Sequence, residues 1–491
     1  MSSPRREAGR ALWQLADLTR AHGSGRATFR ARAYREAVWS LDLLPPGLDV
    51  PAAELRAVPG IGAGITALLE EWRQTGRIAS LDRLREEYPA EAALMRRLPR
   101  ARPATLRAVK TLGIERFRDL GHLLDGDTVA LPGVGTQTAD LWRSIIALWP
   151  EEPARPIGDV AGHVARLAAH LEGLAPRIGG TTVAGDVADR QEWIDRIDLQ
   201  AQDPDAAAAA FSGSALRPPG EAAVTHLGLP VRFAPADPSG RRRGLRLRGD
   251  LHVHTDWSPD GRQTLEAVLD GAARRGYEYV AVTDHTVGLR FGGLDAAGLG
   301  RQAEAIAAAR AAHPEIRVLH GAEVNVLPDG TLDLDDATLA RLDVVVAGVH
   351  SMFHLSRPAQ TERVVRAVRH PAVDVLAHPT GRRIGIRPPL DLDFEAVVAA
   401  AVAAGTALEL NGHLDRLDLG RDLARLAAEA GALFAVDGDA HRPEEMDNVA
   451  NGLATARAAG VAPERIVNSW PWEEIAAWLG SGDDRRAQRS M

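Results

Sequence analysis

Val344-Val345-Val346-Ala347-Gly348-Val349-His350-Ser351 is apolar on both faces and then turns abruptly polar. A strand with one wet face alternates. A run with no wet face fits an interior strand of a parallel sheet covered by helices. Six further runs of this kind flank it, at residues 245–252, 279–283, 318–324, 373–377, 407–410 and 433–436. Helical segments separate them. Seven such strands alternating with helices predict a closed structure related to the α/β barrels.

The polar residues that end each run carry the chemistry. The first run ends in His252 and His254, with Asp260 in the next turn, and the second in Asp284-His285. The third leads through His320 to Glu323 and Asn325. The fourth ends in His350-Ser351 and the fifth in His378-Pro379. The sixth leads to Glu409 and Asn411, and the last to Asp437, Asp439 and His441. One His-x-His pair is a weak signal, because alternate residues on a strand share a face for many reasons. Seven consecutive strand ends bearing His or carboxylate are a strong one, since barrel loops converge on one face. Mixed imidazole and carboxylate donors suit Zn, Mn or Fe better than Ca or Mg. More donors than one ion can use imply a cluster, and clustered metals fit hydrolysis at phosphorus.

These motifs resemble those of the PHP domain, the polymerase and histidinol phosphatase superfamily. They are Gly249-Asp250-Leu251-His252-Val253-His254-Thr255, Thr283-Asp284-His285, Glu323, Val349-His350-Ser351, Ala377-His378-Pro379 and Asp439-Ala440-His441. The resemblance covers residues 249–478. It implies a distorted (β/α)7 barrel holding three divalent ions. It also implies the ligand set His252, His254, Asp260, His285, Glu323, His350, His378, Asp439 and His441, all present in this chain. Asp437, Asn325, Asn411 and Glu409 then read as supporting neighbours, and His320 as structural. Arg382 and Arg383 stand just after His378, and Arg382 is a candidate phosphate clamp.

The front of the chain has a different texture. Val58-Pro59-Gly60-Ile61-Gly62, with Gly64, opens one amphipathic segment, and Leu131-Pro132-Gly133-Val134-Gly135 opens another. Leu98-Pro99-Arg100-Ala101-Arg102 reads as a third copy that has lost its glycines. These turns resemble helix-hairpin-helix motifs. There glycines let backbone N–H groups approach a DNA phosphate near a helix N-terminus, which positions a duplex without reading its sequence. Gly60, Gly62, Gly64, Gly133 and Gly135 are therefore the expected DNA-contacting positions. Residues 1–150 hold 22 Lys and Arg against 17 Asp and Glu, a basic front on a chain of net charge −8. That asymmetry suits a polyanion partner in front and cations behind.

Phe29-Arg30-Ala31-Arg32-Ala33-Tyr34-Arg35-Glu36-Ala37, the first hairpin and Thr75-Gly76 further resemble the N-terminal domain of bacterial family X DNA polymerases. In those enzymes a PHP domain follows the polymerase. The palm motif they require is degraded here. Asp186 stands for its serine, Ala188 and Asp189 for its arginine pair, and Arg196 for its first metal carboxylate, leaving Asp198. An arginine opposes a magnesium ion by like charge, so no polymerase activity is expected. The lone lysine, Lys110, lies outside the segment where eukaryotic relatives keep a lyase lysine.

The sequence thus predicts a multidomain chain. An all-α region comprises residues 1–80 with a helix-hairpin-helix and 81–150 with further ones. A small α/β palm remnant at 151–235 and a basic linker at 236–248 lead to the barrel at 249–478. A disordered polar tail at 479–491 ends it. The absence of cysteine excludes disulfides and thiolate sites. No apolar run is long enough to span a bilayer and the first residues lack a signal peptide, so a cytoplasmic protein is expected. The leading functional expectation is a DNA phosphoesterase, a 3′–5′ exonuclease or 3′-end processing enzyme of repair. A small-molecule phosphomonoesterase of the histidinol-phosphatase type and a non-catalytic DNA-binding scaffold are the alternatives.

Overall fold

The computed structural model describes residues 4–23, 26–45, 47–125, 131–147, 149, 155–174, 182–184, 193–194, 197–213, 225–226, 229–235, 245–289 and 292–489. The chain divides into two compact units, one built mainly from residues before 241 and the other mainly from residues after it.

The first unit begins with helices. Pro4–His22 and Ala27–Leu41 pack along each other, burying Leu12, Leu15, Leu18, Val38 and Leu41. Their apolar residues recur at helical spacing, as the sequence requires of a half-buried helix. Ala63–Thr75 follows the first Gly-rich turn, Pro103–Thr111 follows the arginine-bearing turn, and Thr136–Ala147 follows the last one. Behind these lies Ile157–Leu174. Arg166 forms a two-point ion pair with Glu36 at 2.6 and 2.8 Å and stacks over Trp39, while His170 Nε2 meets Asp42 at 2.7 Å.

Arg155–Pro156 (β1) pairs antiparallel with Trp193–Ile194 (β3). Thr182–Ala184 (β2), Ile197–Ala201 (β4), Thr225–His226 (β5) and Leu229–Pro235 (β6) form a four-stranded sheet in the order β2-β4-β6-β5. It occupies the region read as a palm remnant. The substituted motif itself, residues 185–190 and 195–196, lies outside the described residues, as does the arginine cluster at 241–243.

The second unit is the barrel. Gly249–Val253 (β7), Tyr279–Val282 (β8), Arg317–Asn325 (β9), Val344–Gly348 (β10), Val375–Leu376 (β11), Ala407–Asn411 (β12) and Phe434–Asp437 (β13) pair in sequential order, every pair parallel. The seven strands are those expected from the apolar runs. Both faces are dry for different reasons. Val345, Ala347, Val280 and Val318 face the outer helices, whereas Val344, Val346, Tyr279, Leu319 and Ala435 fill the interior with Ile475. Trp470, Trp472 and Trp478 pack against this inner cluster from the C-terminal segment.

That segment corrects one expectation. The helix beginning at Trp472 continues to Arg489, through residues read as a disordered tail. Its first two turns are anchored on the barrel, and extending an existing helix forms one hydrogen bond per residue fixed, without a new nucleation cost.

Candidate metal centre

The bends after the strands place the donors. His252 on β7 and His254 just past its end are both fully buried. Their Nε2 atoms face each other at 3.1 Å. His252 donates from Nδ1 to Glu409 Oε1 at 2.7 Å, which leaves its Nε2 lone pair directed at the site. His350 does the same through Nδ1 and Asn325 Oδ1 at 2.7 Å, and Asn325 is in turn fixed by Asp333 at 2.6 Å. Ser258 Oγ lies 3.3 Å from His254 Nδ1 and accepts the backbone N–H of His285.

Glu323 is the hub. Its Oε1 lies 3.0 Å from His350 Nε2 and 2.9 Å from His378 Nε2. Its Oε2 lies 2.8 Å from His285 Nδ1, 3.4 Å from His252 Nε2 and 3.5 Å from His254 Nε2. Asp439 Oδ1 approaches His254 Nε2 at 3.4 Å, and Asp260 Oδ2 reaches His441 Nε2 at 3.4 Å and His285 Nε2 at 3.7 Å. Three triads emerge with donor atoms mutually within 4.8 Å: His252, His254 and Asp439; His254, His285 and His441; His285, Glu323 and His350. All nine residues singled out in the sequence therefore meet in one place.

The donor set fits divalent metal ions. Glu323 Oε2 and His285 Nδ1 are buried and only 2.8 Å apart, yet neither makes a hydrogen bond. Buried polar atoms normally find partners. A divalent ion held by His285, Glu323 and His350 would satisfy both. Burial alone pushes the Glu323 carboxyl up, but the charges of His350, His285 and His252 outweigh it and hold it well below the usual carboxylate range. Burial lowers His285, and Glu323 with Asp260 overcomes it, raising the ring to about 10. His378 goes the other way, down to about 4, because burial and Arg416 oppose its charge. Six imidazoles and three carboxylates this close suit cations better than protons. His378 and Asp439 also adopt positive φ, +28° and +50°, conformations costly for non-glycine residues and concentrated at functional sites.

The chain belongs to the PHP family of metal-dependent phosphoesterases. Residues 250–436 match the PHP domain model, and residues 3–78 match a helix-hairpin-helix domain. A protein named probable phosphatase from Syntrophotalea carbinolica is 32% identical over 233 residues, covering 46% of this chain and 92% of that protein. The DNA polymerase/3′-5′ exonuclease PolX of Bacillus subtilis is 36% identical over 239 residues, 48% of this chain. The match spans only 42% of that polymerase's length. Among solved structures, histidinol phosphate phosphatase from Lactococcus lactis, complexed with zinc, L-histidinol and phosphate, aligns with a TM-score of 0.32 at 16% identity. That alignment covers 44% of this chain and 94% of the other.

Arg382 is not the clamp the PHP-like sequence suggested. Only 7% exposed, it donates from Nε to Arg416 O at 2.9 Å and from Nη2 to Leu417 O. A guanidinium near an unsupported loop satisfies that loop's carbonyls first, because orphan buried acceptors are costly. Arg383 pairs with Asp415 at 2.9 Å. The arginine that reaches the donor cluster is Arg416, whose Nε lies 3.2 Å from Asp439 Oδ2. Its Nη1 is buried without a hydrogen-bond partner. Gly348 was also missed. A Cβ there would stand 2.7 Å from Glu323 Oε1, so only glycine lets the hub carboxylate approach β10.

Proposed function

We propose that this protein is a DNA phosphoesterase that removes or trims 3′ ends, a 3′–5′ exonuclease or 3′-end processing enzyme without polymerase activity. The observation that carries the reading is the joint presence, in one chain, of a largely buried cluster of nine His and carboxylate donors and Gly-rich hairpins on a basic front. Gly62, Gly64, Gly133 and Gly135 support it further. A Cβ at any of them meets nothing within 4 Å, and Gly62, Gly64 and Gly135 have no positive φ either, so neither packing nor backbone conformation demands glycine at those three, whereas close approach of a phosphate does. The Bacillus relative, named a DNA polymerase/3′-5′ exonuclease, agrees with this reading.

His252, His254, Asp260, His285, Glu323, His350, His378, Asp439 and His441 would hold three divalent ions, of Zn, Mn or Fe. When bound, such ions supply an activated water and neutralise charge on the phosphate. The remaining work falls to the chain. Asp439 steadies Arg416 through Oδ2, leaving Nη1 to donate to a non-bridging phosphate oxygen. Glu409 holds the His252 ring, and Asn411 Nδ2 bridges Glu409 and Asp439 at 3.1 and 3.0 Å. This locks the donors in position before substrate arrives.

The test is hydrolysis of end-labelled single-stranded and gapped DNA against histidinol phosphate, with manganese and with chelator. Metal-dependent release of nucleotides from DNA 3′ ends is expected, together with no templated nucleotide addition. A second reading, a phosphatase of small phosphomonoesters, is favoured by the 92% coverage of the probable phosphatase, a match confined to about half of this chain. Turnover of histidinol phosphate with inert DNA would select it.

A further inference from the structure

Met352 stands in a backbone region that L side chains resist, at φ +52°, with 56% of its surface exposed. Glycine or asparagine would take this turn at less cost. The turn is nevertheless held firmly. From the helix Arg357–Val368, Gln360 Nε2 donates to Met352 O at 3.1 Å. Arg363 Nη1 donates to Ser351 O at 3.0 Å and to Met352 O at 3.4 Å. Its Nε reaches Leu327 O at 2.9 Å, and its Nη2 reaches Val326 O. Arg363 is fully buried, and these bonds, with one to Gln360 Oε1, all go to neutral oxygens. Burying a guanidinium on neutral partners is costly, so the turn is built rather than slack.

Met352 has a counterpart. Val287, 44% exposed, lies two residues after His285, as Met352 lies two residues after His350. Those two rings share a donor triad with Glu323, and their centroids are 5.3 Å apart. Both loops are tied to Asn325. Its Oδ1 accepts from His350 Nδ1 at 2.7 Å, and its Nδ2 donates to Asp333 Oδ2 at 2.6 Å and Thr286 Oγ1 at 3.2 Å. Asp333 Oδ2 also accepts from Gly288 N at 2.7 Å. A Cβ on Gly288 would stand 2.9 Å from Asn325 Cβ, so glycine lets the Val287 loop close on it.

Single exposed apolar residues are ordinary on a protein surface. These two are not scattered. Among the described residues after 241, the exposed large apolar side chains are Val287, Met352 and Val402. Val402 lies on the helix Phe394–Ala404. The other two leave β8 and β10 beside one and the same triad.

We propose that Met352 and Val287 form an apolar rim against which the base of the 3′-terminal nucleotide packs while the phosphate joining it to the strand lies at the donor cluster. The flat face of a nucleobase is apolar. A thioether is polarisable and unbranched, so it lies against an aromatic face without demanding one orientation. Such a contact accepts any base, because every base has a π-face. The ammonium of histidinol, by contrast, would need an oxygen acceptor that neither side chain offers. The inference rests on the DNA reading above and adds to it a base contact with two named residues.

The experiment compares two 5′-labelled single strands of one sequence, with the full chain and manganese. One strand ends in an ordinary 3′ nucleotide and the other in an abasic one. The unsubstituted protein should prefer the base-bearing end in kcat/KM. Met352→Asn suits the left-handed turn and removes the thioether. The preference should therefore fall about 3- to 10-fold, through a higher KM for the base-bearing end. The double variant Val287→Ser/Met352→Asn should lose more. Metal content and the thermal midpoint, measured alongside, should match those of the unsubstituted chain. No preference in the unsubstituted chain, a preference unchanged in the double variant, or an equal loss on both ends overturns the base contact and leaves the phosphoesterase reading standing. An unsubstituted chain that hydrolyses neither strand overturns both.

Discussion

Asp250 and Asp437 exchange hydrogen bonds across the seam where the first and last barrel strands meet. Asp437 Oδ1 accepts from Leu251 N at 2.8 Å, and the Asp250 carboxylate accepts from Gly438 N at 3.3 to 3.4 Å. Each carboxyl therefore caps the residue following the other. Asn468 completes the seam, donating to Asp437 Oδ1 at 3.1 Å, Val436 O at 2.7 Å and Gly249 O at 3.2 Å. Side chains thus do along this edge what a backbone ladder does between the other strands, and they do it two residues from His252 and Asp439.

This seam predicts a stability effect with a definite sign. Burial pushes both carboxyls up, Asp250 to about 7. The folded chain then keeps a proton that the unfolded chain releases near pH 4, so this pair's contribution to stability is fully present below that value and is lost as pH rises through about 7. Asp437→Asn keeps an oxygen for Leu251 N and removes one of the two acids. Thermal melts of the metal-free protein should show a smaller loss between about pH 5 and about pH 8 than in the unsubstituted chain. Asp437→Ala, which orphans Leu251 N, should cost about 1–3 kcal/mol at either pH.

Glu323 predicts metal stoichiometry. Both of its oxygens face imidazole nitrogens, so Glu323→Gln keeps the shape but replaces one acceptor by a donor aimed at His350 and His378 or at His252, His254 and His285. Metal analysis of the purified variant should show fewer ions per chain than the unsubstituted protein, and hydrolysis should fall by more than ~100-fold. Full metal content with full activity would remove Glu323 from the centre.

Gly348 tests the same hub from the neighbouring strand. Gly348→Ala puts a methyl 2.7 Å from Glu323 Oε1, closer than such contacts allow, so the carboxylate must shift. Metal affinity should drop about 10- to 100-fold, read by titration with a chelating indicator. The far-ultraviolet circular dichroism should stay unchanged because β10 stays buried and paired.

The sequence revealed the strands and the nine donors because both signals are local. An apolar run followed by His or Asp states its own place in a parallel barrel, and closing the barrel gathers the ends. It did not reveal Arg416, because an arginine in a loop is informative only once the loop's path is known. The path of this one is set by Arg382, 34 residues earlier. Gly348 was silent for a similar reason, since its neighbour Glu323 arrives from another strand. The arginine-bearing hairpin was visible as a copy and seemed eroded only because glycine is the usual sign of a left-handed turn, which Arg100 adopts at φ +62°. The palm substitutions fall outside the described residues and stand as read from the sequence.

Arg382 and Arg416 give the last prediction, which separates binding a phosphate from holding the residue that binds it. Arg416→Lys keeps a charge but loses the fork that can bond Asp439 and a phosphate oxygen together. Its KM for a phosphoester should rise about 10-fold or more, in line with one charged hydrogen bond of about 1.5–3 kcal/mol, with metal content unchanged. Arg382→Ala leaves Arg416 O and Leu417 O without their donor. It should reproduce the kinetic defect and also lower the thermal midpoint, which Arg416→Lys should not. A clamp role for Arg382 would reverse the pattern, giving a KM defect without loss of stability. Steady-state kinetics and melting curves of the two variants side by side decide between them.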